Sequence, residues 1–284
     1  MTTTMSQQEY SLQRSALEYD RLRAQARTWE SAAETVLDRV RPRPGGSALD
    51  AGCGPGETMR LLARRVGPHG TVTGIDVDAA LGAVAERSLH AEGYPQVRFV
   101  AADLSVDEPV PGGPYDVVYA RLLLFHLPQR VAVLARLWDA VAPGGALVVQ
   151  EYDLGAIDLV PPLPSVEEVR RVICETFLAL GCDIRAGFHL SQLFGEAGIG
   201  APDGTDVAGR IEPLATGQRI LSATFSSVLP AALAHGVTGE AEADATLAAL
   251  ARDADRLPDA SLFWPLMLSA WKRKEVSAGG PSPR

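Results

Sequence analysis

Asp50-Ala51-Gly52-Cys53-Gly54-Pro55-Gly56 follows a short apolar run and precedes a helical pattern, the arrangement of a strand that ends in a ligand-binding turn. Without a Cβ, Gly52, Gly54 and Gly56 allow a tight turn and bring backbone N–H groups close to a ligand at a helix N-terminus. Such a turn suits a carboxylate or a phosphate. The dinucleotide fingerprint needs its third glycine one position later, where this chain has Glu57. A carboxylate there suits the positive end of the helix but opposes an arriving pyrophosphate. A glycine triplet discriminates little by itself, so the neighbouring strands decide the reading.

Thr71 to Asp76 reads as a second strand ending in a carboxylate, about twenty residues on, where a ribose diol is gripped in doubly wound folds. A third strand, Val97 to Leu104, places Asp103 where it could accept a proton from an exocyclic amine such as that of adenine. Tyr115 to Tyr119 reads as a fourth strand, and Ala142 to Glu151 as a helix stop followed by a fifth.

Leu49 to Gly56, Gly74-Ile75-Asp76, Ala102-Asp103-Leu104 and Ala142-Pro143-Gly144-Gly145, in that order, resemble the motifs of the class I S-adenosylmethionine-dependent methyltransferases, in their bacterial small-molecule type. The resemblance covers roughly residues 45–155. It implies an α/β, Rossmann-like, doubly wound, seven-stranded and mostly parallel sheet, with an N-terminal helical lid and a helical insertion between the late strands. It further implies S-adenosyl-L-methionine as cofactor and S-adenosyl-L-homocysteine as product. Gly52, Gly54 and Gly56 would approach the methionine part and Asp50 would receive its ammonium. Asp76 would take the ribose hydroxyls, Val77 would lie against the adenine ring, and Ala102, Asp103 and Leu104 would address the adenine. An acid that merely caps its own turn is the competing reading of Asp50 and Asp103.

Arg121, just past the fourth strand, is a candidate for the cofactor carboxylate or an acidic substrate, with a solvated arginine as the alternative. His126, in the loop beyond it, is the nearest candidate base; capping or loop packing is the competing explanation. Glu151, Tyr152 and Asp153 follow the fifth strand at the carboxyl edge, where ligands bind in open α/β sheets. Glu151 and Tyr152 are therefore substrate candidates. By resemblance, Tyr10, Tyr19, Arg21 and Trp29 are candidates of an N-terminal lid, Arg21 toward the cofactor and Tyr19 toward the substrate. No set of convergent oxygens identifies a metal site, so none is expected.

The 284 residues suit one α/β catalytic domain with additions. A net charge of −9, with no Lys/Arg run, gives a polyanion no electrostatic help and disfavours nucleic acid. The Asn/Asp-Pro-Pro-Tyr signature of nucleobase amino-methyltransferases is missing at the end of the fourth strand, where Tyr119-Ala120-Arg121 stands. Three cysteines without metal spacing fit a reducing compartment, and no window is apolar enough to span a bilayer. A cytoplasmic protein with a small-molecule substrate is expected, and a homodimer stays open.

The expected plan is a helical lid over residues 1–42, a methyltransferase domain over 43–276 and a disordered tail over 277–284. Residues 7–40 read as helical, and Ser165 with Glu168 reads as a capping box for a helix stopped by Gly181. Beyond residue 200 the pattern predicts a strand near 206–211, a long helical stretch to 256 and a last strand near 262–270. The insertion 213–256 is the expected roof of the substrate site, with Phe225 and Leu229 available to face an apolar pocket or to pack between helices. The acceptor is expected to be an O, N or C atom of a small, partly apolar metabolite, such as a natural-product intermediate or quinone-like ring. A cofactor-retaining cyclase or eliminase, a non-catalytic binding module and an NAD-dependent oxidoreductase are the competing classes.

Overall fold

The computed structural model describes residues 16–276, with side chains from residue 22 onward. In chain order the elements are α1 (Ala16–Thr28), α2 (Glu30–Val40), β1 (Ser47–Ala51), α3 (Glu57–Val66), β2 (Thr71–Asp76), α4 (Ala79–Ala91), β3 (Val97–Ala101) and β4 (Tyr115–Arg121). They continue with α5 (Arg130–Asp139), β5 (Val141–Asp153), β6 (Asp158–Val160), α6 (Pro164–Ala179), α7 (Ala186–Glu196) and β7 (Gly204–Ala208). The chain closes with β8 (Ile211–Pro213), α8 (Leu214–Ala234), α9 (Glu240–Arg256), β9 (Ser261–Phe263) and β10 (Leu266–Arg273).

Two compact units emerge. One, the sheet unit, comprises residues 29–151, 186–207 and the segment from 268 onward. Its seven strands run in the order β3-β2-β1-β4-β5-β10-β7, and β3, β2, β1, β4 and β5 pair in parallel. Strand reversal between β2 and β4 on either side of β1 puts a topological switch point at the end of β1, where doubly wound sheets bind their ligands.

Period-2 alternation explains how the sheet buries both faces. Ala48, Val117, Tyr119, Ala146 and Val148 pack with Val36, Leu37, Met59 and Leu62 from α2 and α3. Leu49, Ala51, Val118, Ala120, Leu147 and Val149 face the other way, against Leu134 and Leu137 of α5 and Leu190 and Phe194 of α7. Fully burying each such leucine or valine contributes roughly 1.5–3 kcal/mol. A parallel strand covered on both sides reads as a continuous apolar run, as these do.

The other unit comprises the described residues of 1–28, 152–185 and 208–267. Here α6, α8 and α9 pack on one another, and β6, β9 and β8 form a small antiparallel sheet in that order. Val169, Val172, Leu221, Phe225 and Leu250 are buried within it.

Several expected boundaries move. The single helix over 7–40 is two within the described residues, divided at Trp29, and the helical stretch to 256 breaks between His235 and Gly239. The strand near 206–211 splits into β7 and β8, and the last strand into β9 and β10. No capping box opens α6: Pro164 starts the helix two residues earlier than a Ser165 cap would, so the Ser165 hydroxyl donates to Asp253 Oδ2 at 2.6 Å and Glu168 pairs with Arg171 at 2.6 Å. Gly181, at φ +79°, does end it; its N–H donates to Leu178 O and that of Cys182 to Phe177 O, a Schellman motif.

Candidate functional site

The turn after β1 is built by glycines with distinct tasks. Gly52 adopts φ +73°, and a Cβ there would stand 3.1 Å from Leu123 Cδ1, so the Leu123 side chain lies directly over it. Gly56 adopts φ +83°, but its missing Cβ makes room for Ala85 and Leu89 of α4, at 2.9 and 3.3 Å. Its role in the fold is thus helix packing, a task that the dinucleotide fingerprint gives to the next position. The Gly54 N–H donates to Asp76 Oδ2 at 2.8 Å, and the Asp78 N–H to Asp76 Oδ1 at 2.9 Å, which ties the end of β2 to the turn.

Burial raises the Asp76 carboxyl above its ordinary range, while the amides of Asp78, Gly54 and Val77 oppose the shift and the Asp78 charge adds to it. Glu57 lies at the start of α3, only 5% exposed, and accepts from Arg60 at 3.1 and 2.7 Å. That ion pair compensates its charge, so repulsion of a pyrophosphate is weaker than the sequence position suggests.

Asp50 ends the second half of β1, 2% exposed, with Oδ2 buried and without a hydrogen-bond partner among the described residues. Desolvation pushes its pKa up to about 7, the Arg121 cation pulls it down, and Asp76 raises it again. Arg121, at the end of β4, has its own buried Nη1 without a partner among the described residues. A carboxylate and a guanidinium, each with an unfilled position, thus flank the glycine turn. An orphaned buried group of this kind costs about 1–3 kcal/mol unless something satisfies it.

Beyond Arg121 the backbone is strained: Leu122 takes φ +55°, in the left-handed region that a leucine rarely occupies. Glu151, fully buried at the end of the parallel part of β5, accepts the Leu123 N–H at 3.0 Å and the Leu124 N–H at 2.7 Å through Oε1. Its Oε2 has no partner among the described residues. Burial pushes its pKa up to about 8, against the pull of the Leu124, Phe125 and Leu123 amides and of Arg130.

His126 sits in the short 3₁₀ turn Leu124–His126, edge-on to Phe125 with ring centroids 4.6 Å apart. Desolvation lowers its pKa to about 4, so the imidazole is neutral at pH 7. Asp103 is exposed, and its Oδ1 accepts the Ser105 N–H at 2.8 Å, the turn-capping arrangement. Ala102 and Leu104 are half-buried beside the core, and Arg136 holds the Leu104 carbonyl at 2.8 Å.

Asp50, Gly52, Gly54, Asp76 and Arg121 therefore converge within the sheet unit, while Tyr152 belongs to the other unit. There it is 7% exposed and accepts from Gln25 Nε2 of α1 at 3.3 Å. Tyr19 and Arg21 fall in α1, and their side chains lie outside the described residues, as do all of Tyr10 and the tail 277–284. Phe225 is wholly buried on the packed face of α8.

Sequence reasoning missed two features. Leu123 gave no signal, because a leucine after a strand is indistinguishable from core. The buried chain in which Tyr119 Oη donates to Gln150 Oε1 and Gln150 Nε2 to Ser269 Oγ at 2.8 Å joins residues 150 positions apart and has no local pattern.

The donor set fits a cationic amine beside a carboxylate-tolerant turn and a diol, as S-adenosylmethionine presents. Asp50 Oδ2 offers an acceptor to an ammonium, Arg121 Nη1 a donor to a carboxylate, and Asp76 further lone pairs to hydroxyls. Among the described residues, no three His, Cys, Asp or Glu side chains gather as a metal site requires, and no helix is long and apolar enough to cross a membrane.

Residues 48–145 match the family model described as a methyltransferase domain. Trans-aconitate 2-methyltransferase of Paracidovorax citrulli is 38% identical over 121 residues, 43% of this chain and 44% of that protein. Nocamycin O-methyltransferase of Saccharothrix syringae is 36% identical over 136 residues, 48% of this chain and 45% of that protein. The match thus spans less than half the length of these relatives. The fold is shared with a candidate methyltransferase from Bacillus halodurans, with a TM-score of 0.57 at 13% identity over 86% of this chain and 99% of that one.

Proposed function

We propose, from the premise that this chain carries a class I S-adenosylmethionine-dependent methyltransferase domain, that it methylates a small, partly apolar metabolite at an O, N or C atom. The observation that carries the proposal is the unpartnered Asp50 Oδ2 beside the glycine turn, in a buried position that a cationic amine would neutralise. Oxygen is the acceptor to test first, since the nocamycin enzyme is named for O-methylation.

When bound, the cofactor supplies an electrophilic methyl group on a sulfonium. The chain's own contribution is binding and alignment. Asp50 receives the ammonium, Asp76 the ribose hydroxyls, and Ala102, Asp103 and Leu104 the adenine, with Val77 along its ring. Arg121 holds the cofactor carboxylate or an acidic group of the acceptor. In-line displacement gains most from holding nucleophile and methyl carbon at contact distance in a dry cavity.

An acceptor that must lose a proton would use His126, which is already neutral at pH 7. Tyr19 and Arg21 in an N-terminal lid, Tyr152 at the acceptor and residues 213–256 as its roof complete the reading, for a cytoplasmic enzyme.

Calorimetric titration with S-adenosylmethionine, S-adenosylhomocysteine and NAD tests it, with Asp76→Ala as control. Binding of both sulfur cofactors, weakened by the substitution, is the expected result; NAD binding, or no binding, overturns it. Turnover of an acceptor without S-adenosylhomocysteine formation would mark a cofactor-retaining catalyst instead.

A further inference from the structure

Glu151 stands in the sequence where a substrate-orienting acid is expected, yet its carboxylate turns to the backbone after β4. Oε1 accepts two consecutive amides, Leu123 at 3.0 Å and Leu124 at 2.7 Å, immediately after the left-handed Leu122. A strained leucine persists only where its surroundings over-determine it, at about 1–3 kcal/mol. Here two amides held by one fully buried acceptor supply that determination, together with the Leu122 N–H donating to Gln150 O at 2.9 Å. The consequence reaches the ligand turn, because the same turn sets Leu123 Cδ1 over Gly52, 3.1 Å from where a Cβ would be.

We propose that Glu151 is a positioning residue: by holding the Leu123 and Leu124 amides it seats the Leu123 side chain over Gly52 and so fixes the glycine turn in its ligand-ready shape. What the role requires is the acceptor at Oε1, not a negative charge, and a glutamine retains that acceptor. The clamp is a property of the chain; the choice of S-adenosylhomocysteine as probe rests on the function proposed above.

Two measurements on the full-length protein test it: calorimetric affinity for S-adenosylhomocysteine, and hydrogen exchange of amides 122–126 without ligand. Glu151→Ala and Leu123→Ala are each expected to weaken binding about tenfold, the effect of losing one or two modest hydrogen bonds or their packing. Glu151→Gln is expected to restore affinity to within about threefold of the parent. The double variant should be no weaker than the worse single one, since both act on one contact. Exchange should quicken in Glu151→Ala and stay slow in Glu151→Gln.

Additive losses in the double variant, parental affinity in Glu151→Ala, or a glutamine as damaging as alanine would overturn the clamp. If Glu151→Ala does not fold, Leu123→Ala and Glu151→Gln still decide: parental affinity in the first, or fast exchange in the second, sinks the proposal. Should the parent bind no sulfur cofactor, the functional reading fails, while the exchange data judge the clamp alone.

Discussion

The carboxyl ends of β1, β4 and β5 and the interior of the helical unit handle buried polar groups in opposite ways. At the strand ends Asp50, Arg121 and Glu151 each keep a buried atom without a partner among the described residues, and all three are ionisable. In the helical unit the polar groups satisfy one another. Ser165 bonds Asp253, Thr176 bonds the Val172 carbonyl at 2.6 Å, and Glu212 accepts from Trp264 at 2.6 Å and pairs with Arg210 at 3.1 Å. The one buried side-chain atom left over there, among the described residues, is the neutral Ser227 hydroxyl. Leaving an ionisable group unsatisfied costs more than leaving a hydroxyl so, whether it keeps its charge or takes up a proton to lose it. Three such groups at adjacent strand ends are what a bound ligand would satisfy, whereas the helical unit shows no ionisable one among its described residues.

The largest effects should follow from filling the turn. Gly52→Ala adds a Cβ at φ +73°, 3.1 Å from Leu123, and should lower affinity for S-adenosylhomocysteine by about 10- to 100-fold. Asp76→Ala should cost about tenfold or more by removing charge-assisted hydrogen bonds. The matching change in the helical unit, Ser165→Ala, should lower stability by about 0.5–1.5 kcal/mol and leave cofactor affinity unchanged. A change in calorimetric affinity with Ser165→Ala would break the contrast.

An intermediate effect is expected in pH dependence. Asp50 and Glu151 have folded pKa values raised from 3.8 to about 7 and from 4.5 to about 8, so across those intervals the folded chain holds protons that the unfolded chain has lost. Stability of the ligand-free protein should therefore fall as pH rises through 7 and 8 and level off beyond. Denaturant melts across this range would check it, and Glu151→Gln should flatten the upper part. An ammonium beside Asp50 favours its charged form, so cofactor binding near pH 7 should release protons, read as a buffer-dependent heat. Asp50→Asn should abolish that release. A stability that is flat from pH 6.5 to 8.5 would mean that the strand-end acids are less desolvated than their burial implies.

How far each region could be read from the sequence follows the same division. Strands buried on both faces leave largely apolar runs, so the placement of Asp50 and Asp76 at the ends of β1 and β2 is legible, and the glycines mark the turn between β1 and α3. The three-residue strands β6, β8 and β9 carry no period to read, because their order is set by long-range antiparallel pairing such as Leu159 with Leu262. The α6 start was misread because Ser165 and Glu168 satisfy a local rule that a proline at the helix start and a distant Asp253 override. Glu151 is legible as a strand-end acid, but nothing in that position says that its Oε1 will accept the Leu123 and Leu124 amides of a neighbouring turn.

The smallest effect concerns His126. A half-buried, desolvated imidazole with a pKa near 4 is neutral throughout the working range, and a base that weak accepts a proton less readily than one poised near 7. General-base action would then appear as a limb near pH 4 in the pH–rate profile, with no inflection near 6.5. His126→Ala should reduce turnover by less than about tenfold, well short of the 10²–10⁴ that a matched base contributes. A loss of a hundredfold, or an inflection at 6.5 that vanishes with the substitution, would show that ligand binding hydrates or pairs the imidazole, and would extend the reactive chemistry beyond the strand ends into the turn that Glu151 holds.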